Sequence, residues 1–259
     1  MTQSLGYEFF NRYDVGDTPE EFIDAADKFT EMICWYESAI KEIRTKLEVL
    51  NAEFKAKKSR NPIETIKTRV KSPMSIYEKM ERRGYDITLD SIMTSLHDIA
   101  GVRVICPFID DIYSVAEMIT QQDDITLIEK KDYIENPKPN GYRSLHLVLQ
   151  VPIFLSTGKR MISVEVQIRT IAMDFWASLE HQIHYKKFKE DKVEIVEQLA
   201  ECATVIYETD LKMQSIHKEL FSVKELRKEY SARQSEYEKM YINKCRMEKL
   251  NGHGRDIYT

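Results

Sequence analysis

No run of this chain is apolar enough to span a bilayer, so no membrane partner is expected. The start, Met-Thr-Gln-Ser-Leu-Gly-Tyr, has no basic stretch followed by an apolar one, so no secretory leader is expected either. Four cysteines occur, Cys34, Cys106, Cys202 and Cys245, without CxxC spacing or a nearby histidine. They read as free thiols of a cytoplasmic protein. An excess of positive charge is also missing. A net charge of -5 over 259 residues argues against a chain that wraps nucleic acid or coats an anionic membrane. RNA stays open as a partner, but the charge does not support it. A phosphate site must then be a local basic cluster on an acidic background. What is present is ordinary in one respect and unusual in another: 42% hydrophobic residues permit a real core, while 31% charged residues suggest long solvated helices. The length allows one sizeable domain with extensions, or two small ones.

Thr18-Pro19-Glu20-Glu21 combines an N-cap, a proline at the first helical position and a capping-box glutamate. Behind it the apolar positions Phe22, Ala26, Phe29, Ile33, Tyr36, Ile40, Ile43, Leu47, Leu50 and Phe54 alternate in steps of four and three. That spacing predicts one long helix with a heptad seam. A second helix is expected over approximately 191–247, with its seam at Ile195, Leu199, Cys202, Ile206, Thr209, Met213, Ile216, Leu220 and Val223. The stretch from Asn251 to Asp256 reads as a frayed end. Between the long helices, strands are predicted at 101–108, 125–129, 144–153 and 161–169, and helices at 73–83, 91–99, 112–121 and 171–185. The mixture implies an α+β fold with a mixed sheet. Domain limits follow: a helical extension over 1–58, a compact α+β domain over 59–190, and a C-terminal helical extension over 191–259.

Alternation sorts the strand residues into two faces. Val102, Val104, Leu145, Leu147, Leu149, Val164 and Val166 share the apolar one, and Arg103, His146, Glu165, Gln167 and Arg169 share the other. Such a face is also what the solvated side of an antiparallel sheet presents. Asp98, just before the first of these strands, adds a second carboxylate beside Glu165. Two carboxylates among arginines and a histidine suit a divalent metal and phosphoryl chemistry. Upstream, Ser72-Pro73 starts a helix, Arg69 and Lys71 precede it, and Ser75 and Lys79 share one of its faces. A helix start flanked by cations can cradle oligophosphates. The loop Asn136-Pro-Lys-Pro-Asn-Gly-Tyr-Arg delivers Tyr142 rigidly to a strand start. By itself it does not separate a base-stacking tyrosine from one packed at a strand end.

The segments RVKSPMSIYEKM, HDIAGVRVIC, NPKPNGYRSLH, VEVQIRT and FWASLEHQIHYK, in that order over approximately 60–190, resemble the synthetase domain of the RelA/SpoT superfamily, and more closely its stand-alone small alarmone synthetases. The resemblance implies a nucleotidyltransferase-like fold and synthesis of ppGpp and pppGpp. In that reaction the β,γ-pyrophosphoryl group of ATP passes to the 3′-hydroxyl of GDP or GTP. It also implies Mg2+ on Asp98 and Glu165, with Glu165 activating the hydroxyl. Arg69 and Arg103 would sandwich adenine, and Lys71, Ser75 and Lys79 would contact ATP phosphates. Tyr142 would stack on guanine, with Lys138, Asn140, His146 and Lys131 on the acceptor side. The seams and the resemblance together suggest a homotetramer. One departure is Glu64-Thr-Ile-Lys-Thr68, which lacks the glycine and aromatic of product-stimulated relatives and so argues against such stimulation.

Two further functions compete with this one. An inactive domain sensing guanine nucleotides or single-stranded RNA is opposed by the intact Asp98 and Glu165. A transferase of nucleoside monophosphates would need paired acids in a Gly-Ser context, which is missing. His97-Asp98 is an HD dipeptide, but the upstream helix contains no histidine, so hydrolase activity is not expected. Thr157-Gly-Lys159 is no P-loop, because Ile153 and Arg160 stand where Gly and Ser or Thr are needed. His181 and His184 read as packing residues.

Overall fold

The first apolar seam forms a single helix, α1 (Pro19–Ala56). Phe29, Tyr36, Ile40, Ile43 and Leu47 are buried along it, and Met32 and Ala39 widen the stripe. Each large side chain so buried contributes about 1.5–3 kcal/mol. The computed structural model describes residues 19–57, 60–185 and 192–252. Outside them lie the expected Thr18 cap and residues 253–256 of the expected frayed end. The side chains of Phe22, His184, Val223 and Cys245 are likewise not described.

Five strands, β1 (Thr65–Val70), β2 (Ala100–Cys106), β3 (Thr126–Asp132), β4 (Leu145–Leu155) and β5 (Gly158–Thr170), form one sheet in the order β1-β2-β5-β4-β3. β2 and β5 run parallel and the other neighbours antiparallel, so the sheet is mixed, as expected. Helices α2 (Pro73–Arg83), α3 (Leu89–Ser95), α4 (Ile109–Thr120), α5 (Ile171–Tyr185) and α6 (Lys192–Gly252) complete the order. The apolar strand face meets α1 and the Ile112, Val115 and Ile119 side of α4 in one core. The other face keeps its charged and polar side chains.

Three features depart from the expectations. β1 was not foreseen. It is an edge strand, exposed along most of its length, with Ile66 and Val70 the two apolar residues on its inner side and Thr68 between them, so it carries little apolar alternation. β3 contains a bulge between Leu127 and Glu129 that shifts its pairing with β4. The seam of α6 is also rotated. Cys202, Met213, Ile216 and Leu220 are exposed, while Ala203 and Asp210 are buried. A small residue and a capped carboxylate face inward there because they meet a backbone turn and a threonine hydroxyl. By internal contacts the chain divides after Asp210, within α6, into two compact units. The second unit, from Leu211, is helical to Gly252.

Candidate active site

Strand pairing turns the polar face into ordered rows. One runs across all five strands as Lys67, Arg103, Gln167, His146 and Lys131. The next runs Arg69, Gly101, Glu165, Val148 and Glu129. Gly101 puts no side chain between Arg69 and Glu165, which leaves a floor. Over it lies a solvent-open cleft of about 540 Å3, lined by Lys67, Arg69, Asp98, Arg103, Glu165 and Gln167 among others.

Asp98 precedes β2 and leans over the cleft. Its Oδ2 accepts from Lys71 Nζ and Lys79 Nζ, each at 2.7 Å. Burial pushes its carboxyl upward, but the two lysines outweigh burial and hold it below the usual carboxylate range. Its Oδ1 is buried and has no partner among the described residues. Local structure delivers the lysines. Ser72 caps α2 by accepting from the Ser75 amide at 3.3 Å, and Pro73 follows it, as expected. The Ser75 hydroxyl accepts from Ser72 Oγ at 2.9 Å, at the helix start.

Glu165 is held on both oxygens. His146 Nδ1 lies 3.2 Å from Oε1, and Gln167 Nε2 donates to Oε2 at 2.8 Å. Burial raises its pKa, His146 and Gln167 lower it, and the balance lies below the usual value. Behind His146 stands Tyr142, whose hydroxyl lies 2.8 Å from Nε2 and receives a bond from Arg169. An ionised Glu165 can only accept, so the contact with Oε1 requires the imidazole to carry a proton on Nδ1. Arg169, Tyr142, His146 and Glu165 thus form one chain of polar contacts.

The loop that carries Tyr142 is braced by its own side chains and by α5. Asn140 Oδ1 accepts from the Tyr142 amide at 3.2 Å and its Nδ2 donates to Glu180 at 3.3 Å, so its amide is engaged at both ends. Lys138 Nζ sits over the rings of Tyr133 and Tyr142 at 4.8 and 4.9 Å. Tyr142 itself packs on the cluster of Trp176, Ala177 and Ala203. Gly141 has φ +87°, and a Cβ there would lie 2.4 Å from Ala203 Cβ, so any other residue at this turn is strained and forces a shift. Lys131 occupies the His146 row but donates to Glu129 at 2.7 Å, with its side chain about half exposed.

The structure therefore brings Arg69, Asp98, Arg103 and Glu165 to one cleft, with Lys71 and Lys79 beside Asp98 and Tyr142 and His146 linked to Glu165. Ser75, Lys131, Lys138 and Asn140 lie around this group and do not line the cleft. Sequence reasoning missed Lys67, because β1 was missed. It also missed Asp174, a buried carboxylate bonded to Lys67 and Arg103. An acidic residue in a helix's first turn was the one available signal, and such residues are common.

Two bound carboxylates fit magnesium, which takes few protein oxygens and completes its shell with phosphate and water. The unpartnered Asp98 Oδ1 is the observation that supports the fit. Among the described residues no group of three His, Cys, Asp or Glu side chains competes for a metal.

Residues 68–190 match the family described as the region found in RelA / SpoT proteins. GTP pyrophosphokinase YwaC of Bacillus subtilis (strain 168) is 45% identical over 185 residues, which cover 71% of this chain and 88% of that protein. GTP pyrophosphokinase YjbM of the same organism is 42% identical over 151 residues, or 58% and 70% of the two chains. Among solved structures, small alarmone synthetase 1 from Bacillus subtilis bound to its product pppGpp matches with a TM-score of 0.70 at 35% identity, covering 74% of this chain and 98% of that one. The same synthetase bound to AMPCPP matches with a TM-score of 0.65 at 32% identity, covering 76% and 99%. Likeness at this level, in sequence and in the sheet that carries the cleft, makes this chain a member of the RelA/SpoT family and a small alarmone synthetase, a GTP pyrophosphokinase.

Proposed function

We propose that this synthetase forms ppGpp and pppGpp by a single in-line transfer across the floor between Arg69 and Glu165. ATP lies on the β1–β2 side, where Arg69 and Arg103 hold adenine and Lys71, Lys79 and Ser75 meet the phosphates. GDP or GTP lies on the β4 side, with guanine on Tyr142 and with Lys138, His146 and Lys131 near its phosphates. Asn140 serves the acceptor through the loop it braces. The acceptor 3′-oxygen bonds to the β-phosphorus of ATP, the bond from that phosphorus to the α,β-bridging oxygen breaks, and AMP leaves. Glu165 takes the hydroxyl proton. Its contacts with His146 and Gln167 aim the carboxylate before substrate arrives. Asp98 Oδ1 and Glu165 would hold Mg2+, which when bound neutralises phosphate oxygens and favours ionisation of the 3′-hydroxyl.

The observation that carries this reading is the position of Glu165. It is ionised, shares a cleft with Asp98, and lies between a row of cations and the Tyr142–His146 pair. We place catalysis in residues 59–190, since every assigned residue falls between Arg69 and Glu165, and treat 1–58 and 191–259 as helical extensions. The free thiols Cys34, Cys106 and Cys202 fit work in the cytoplasm. Ion-exchange chromatography of protein incubated with ATP, magnesium and either GDP or GTP tests the reading. AMP should appear in equal amount with a guanine nucleotide carrying two additional phosphates. Release of ADP or free pyrophosphate alone would reject it.

A further inference from the structure

Asp174 stands in the first turn of α5, directly beyond β5, and is only 8% exposed. Three cations from three strands converge on it. Lys67 Nζ of β1 donates to Oδ2 at 3.0 Å, Arg103 Nη1 of β2 to Oδ1 at 3.2 Å, and Arg169 Nη1 of β5 to the same Oδ1 at 3.4 Å. Lys67 and Arg103 line the donor side of the cleft. Arg169 reaches the acceptor side, because its Nη2 donates to the Tyr142 hydroxyl. One carboxylate therefore touches both halves of the site without lining the cleft itself.

A buried arginine, Arg169, beside a partly buried one, Arg103, is unfavourable alone. Burial first, and the neighbouring Arg169 second, depress the pKa of Arg103. The shared Oδ1 is what lets the two guanidinium groups stand side by side. Their dependence on it is unequal. Arg169 also bonds Ser144 Oγ, Gln167 Oε1 and Tyr142. Arg103 has its Nε buried without a partner among the described residues, so the aim of its planar head rests on Nη1 and Asp174.

We propose that Asp174 is a positioning residue for pyrophosphoryl transfer, which aims Arg103 at the donor base and ties that clamp, through Arg169, to the acceptor tyrosine. The inference rests on the donor role given to Arg103 above. Asp174→Asn keeps the shape and removes the charge. Steady-state kinetics with each substrate varied in turn, affinity for a non-hydrolysable ATP analogue by calorimetry, and a thermal melt read the result. The expected outcome is a rise of about tenfold in KM for ATP and in analogue Kd, a smaller change in kcat, and a smaller rise in KM for GDP. Asp174→Glu should recover part of this, leaving a rise of about threefold. The comparator is Asp111 on α4, a likewise buried carboxylate held by Arg60, against the opposite face of the sheet. Asp111→Asn should lower Tm and leave both KM values in place.

An unchanged analogue Kd in folded Asp174→Asn overturns the proposal. So does an equal rise in Asp111→Asn, which would mean general loosening. If Asp174→Asn does not fold, Asp174→Glu decides: a raised Kd at wild-type Tm supports positioning, and an unchanged one overturns it. Wild-type protein that transfers no pyrophosphate would remove the functional reading, while the analogue affinities would still settle the role of Asp174.

Discussion

At the scale of single residues the site is a set of carboxylates kept ionised against their own burial. Glu165 and Asp98 would both be pushed up by desolvation, and both end below the usual range because His146 with Gln167, and Lys71 with Lys79, overcome it. Glu165→Gln removes the carboxylate proposed to accept the hydroxyl proton while keeping the side-chain size. Turnover should fall by about 10²–10⁴-fold, read by chromatography of the products. The pH dependence follows from the same directions. The folded pKa of each lies below its unfolded value of about 4, so the stability from these ion contacts is complete above that value. It is lost as pH falls through the lower folded pKa. The urea midpoint should therefore stay flat from neutral pH to about pH 5 as far as these groups decide it. Glu165 was legible in the sequence, since strand alternation alone puts it opposite Val164 and Val166. Asp174 was not, because its meaning lies in Lys67 and Arg103, 107 and 71 positions away.

At the scale of elements, two local irregularities place the residues proposed for the acceptor side. The bulge in β3 is the first. Before it Leu127 pairs with Leu149 on the apolar face, and after it Glu129 pairs with Val148 on the polar one. Strict alternation would have sent Lys131 to the same side as Leu127, into the core face. The extra residue turns it to the row of His146. The second is the Gly141 turn, pressed against Ala203 of α6. Near it Arg143 lies 3.7 Å over the ring of Tyr207, and Trp176 Nε1 donates to the Leu199 carbonyl at 3.0 Å. The start of α6 is thus the support of the tyrosine loop. Gly141→Ala adds a Cβ at positive φ into that contact. It should lower stability by about 1–3 kcal/mol and raise KM for GDP more than KM for ATP, measured by melts and steady-state kinetics. The asparagine-glycine pair signalled a turn in the sequence. The partner that strains any other residue there lies on a helix far along the chain.

At the scale of the whole molecule, the long helices have different fates. The seam of α1 is consumed by the sheet, with Met32, Ile43 and Leu47 fully buried. On α6, Met213, Ile216 and Leu220 are exposed in the unit that begins at Leu211. Exposed apolar side chains at helical spacing are the usual mark of an association surface. We propose a homotetramer on this ground. Light scattering at micromolar protein should give four chain masses of 30.5 kDa, and Ile216→Glu with Leu220→Glu should lower the mass. A wild-type monomer would reject the proposal.

The sequence by itself determined the α1 seam, the two faces of β4 and β5, the capped start of α2 and the ordered segments that mark a RelA/SpoT synthetase. All of these are periodic or local, so neighbours in the chain carry the information. Only the tertiary structure decided the edge strand β1, the bulge that aims Lys131, the rotated face of α6 and the convergence on Asp174. Each of these is an energy shared between distant segments. A weakly apolar strand is held by its pairing with β2, and a buried carboxylate is tolerated because cations from three strands meet it. No short window of sequence contains Asp174 together with Lys67 and Arg103.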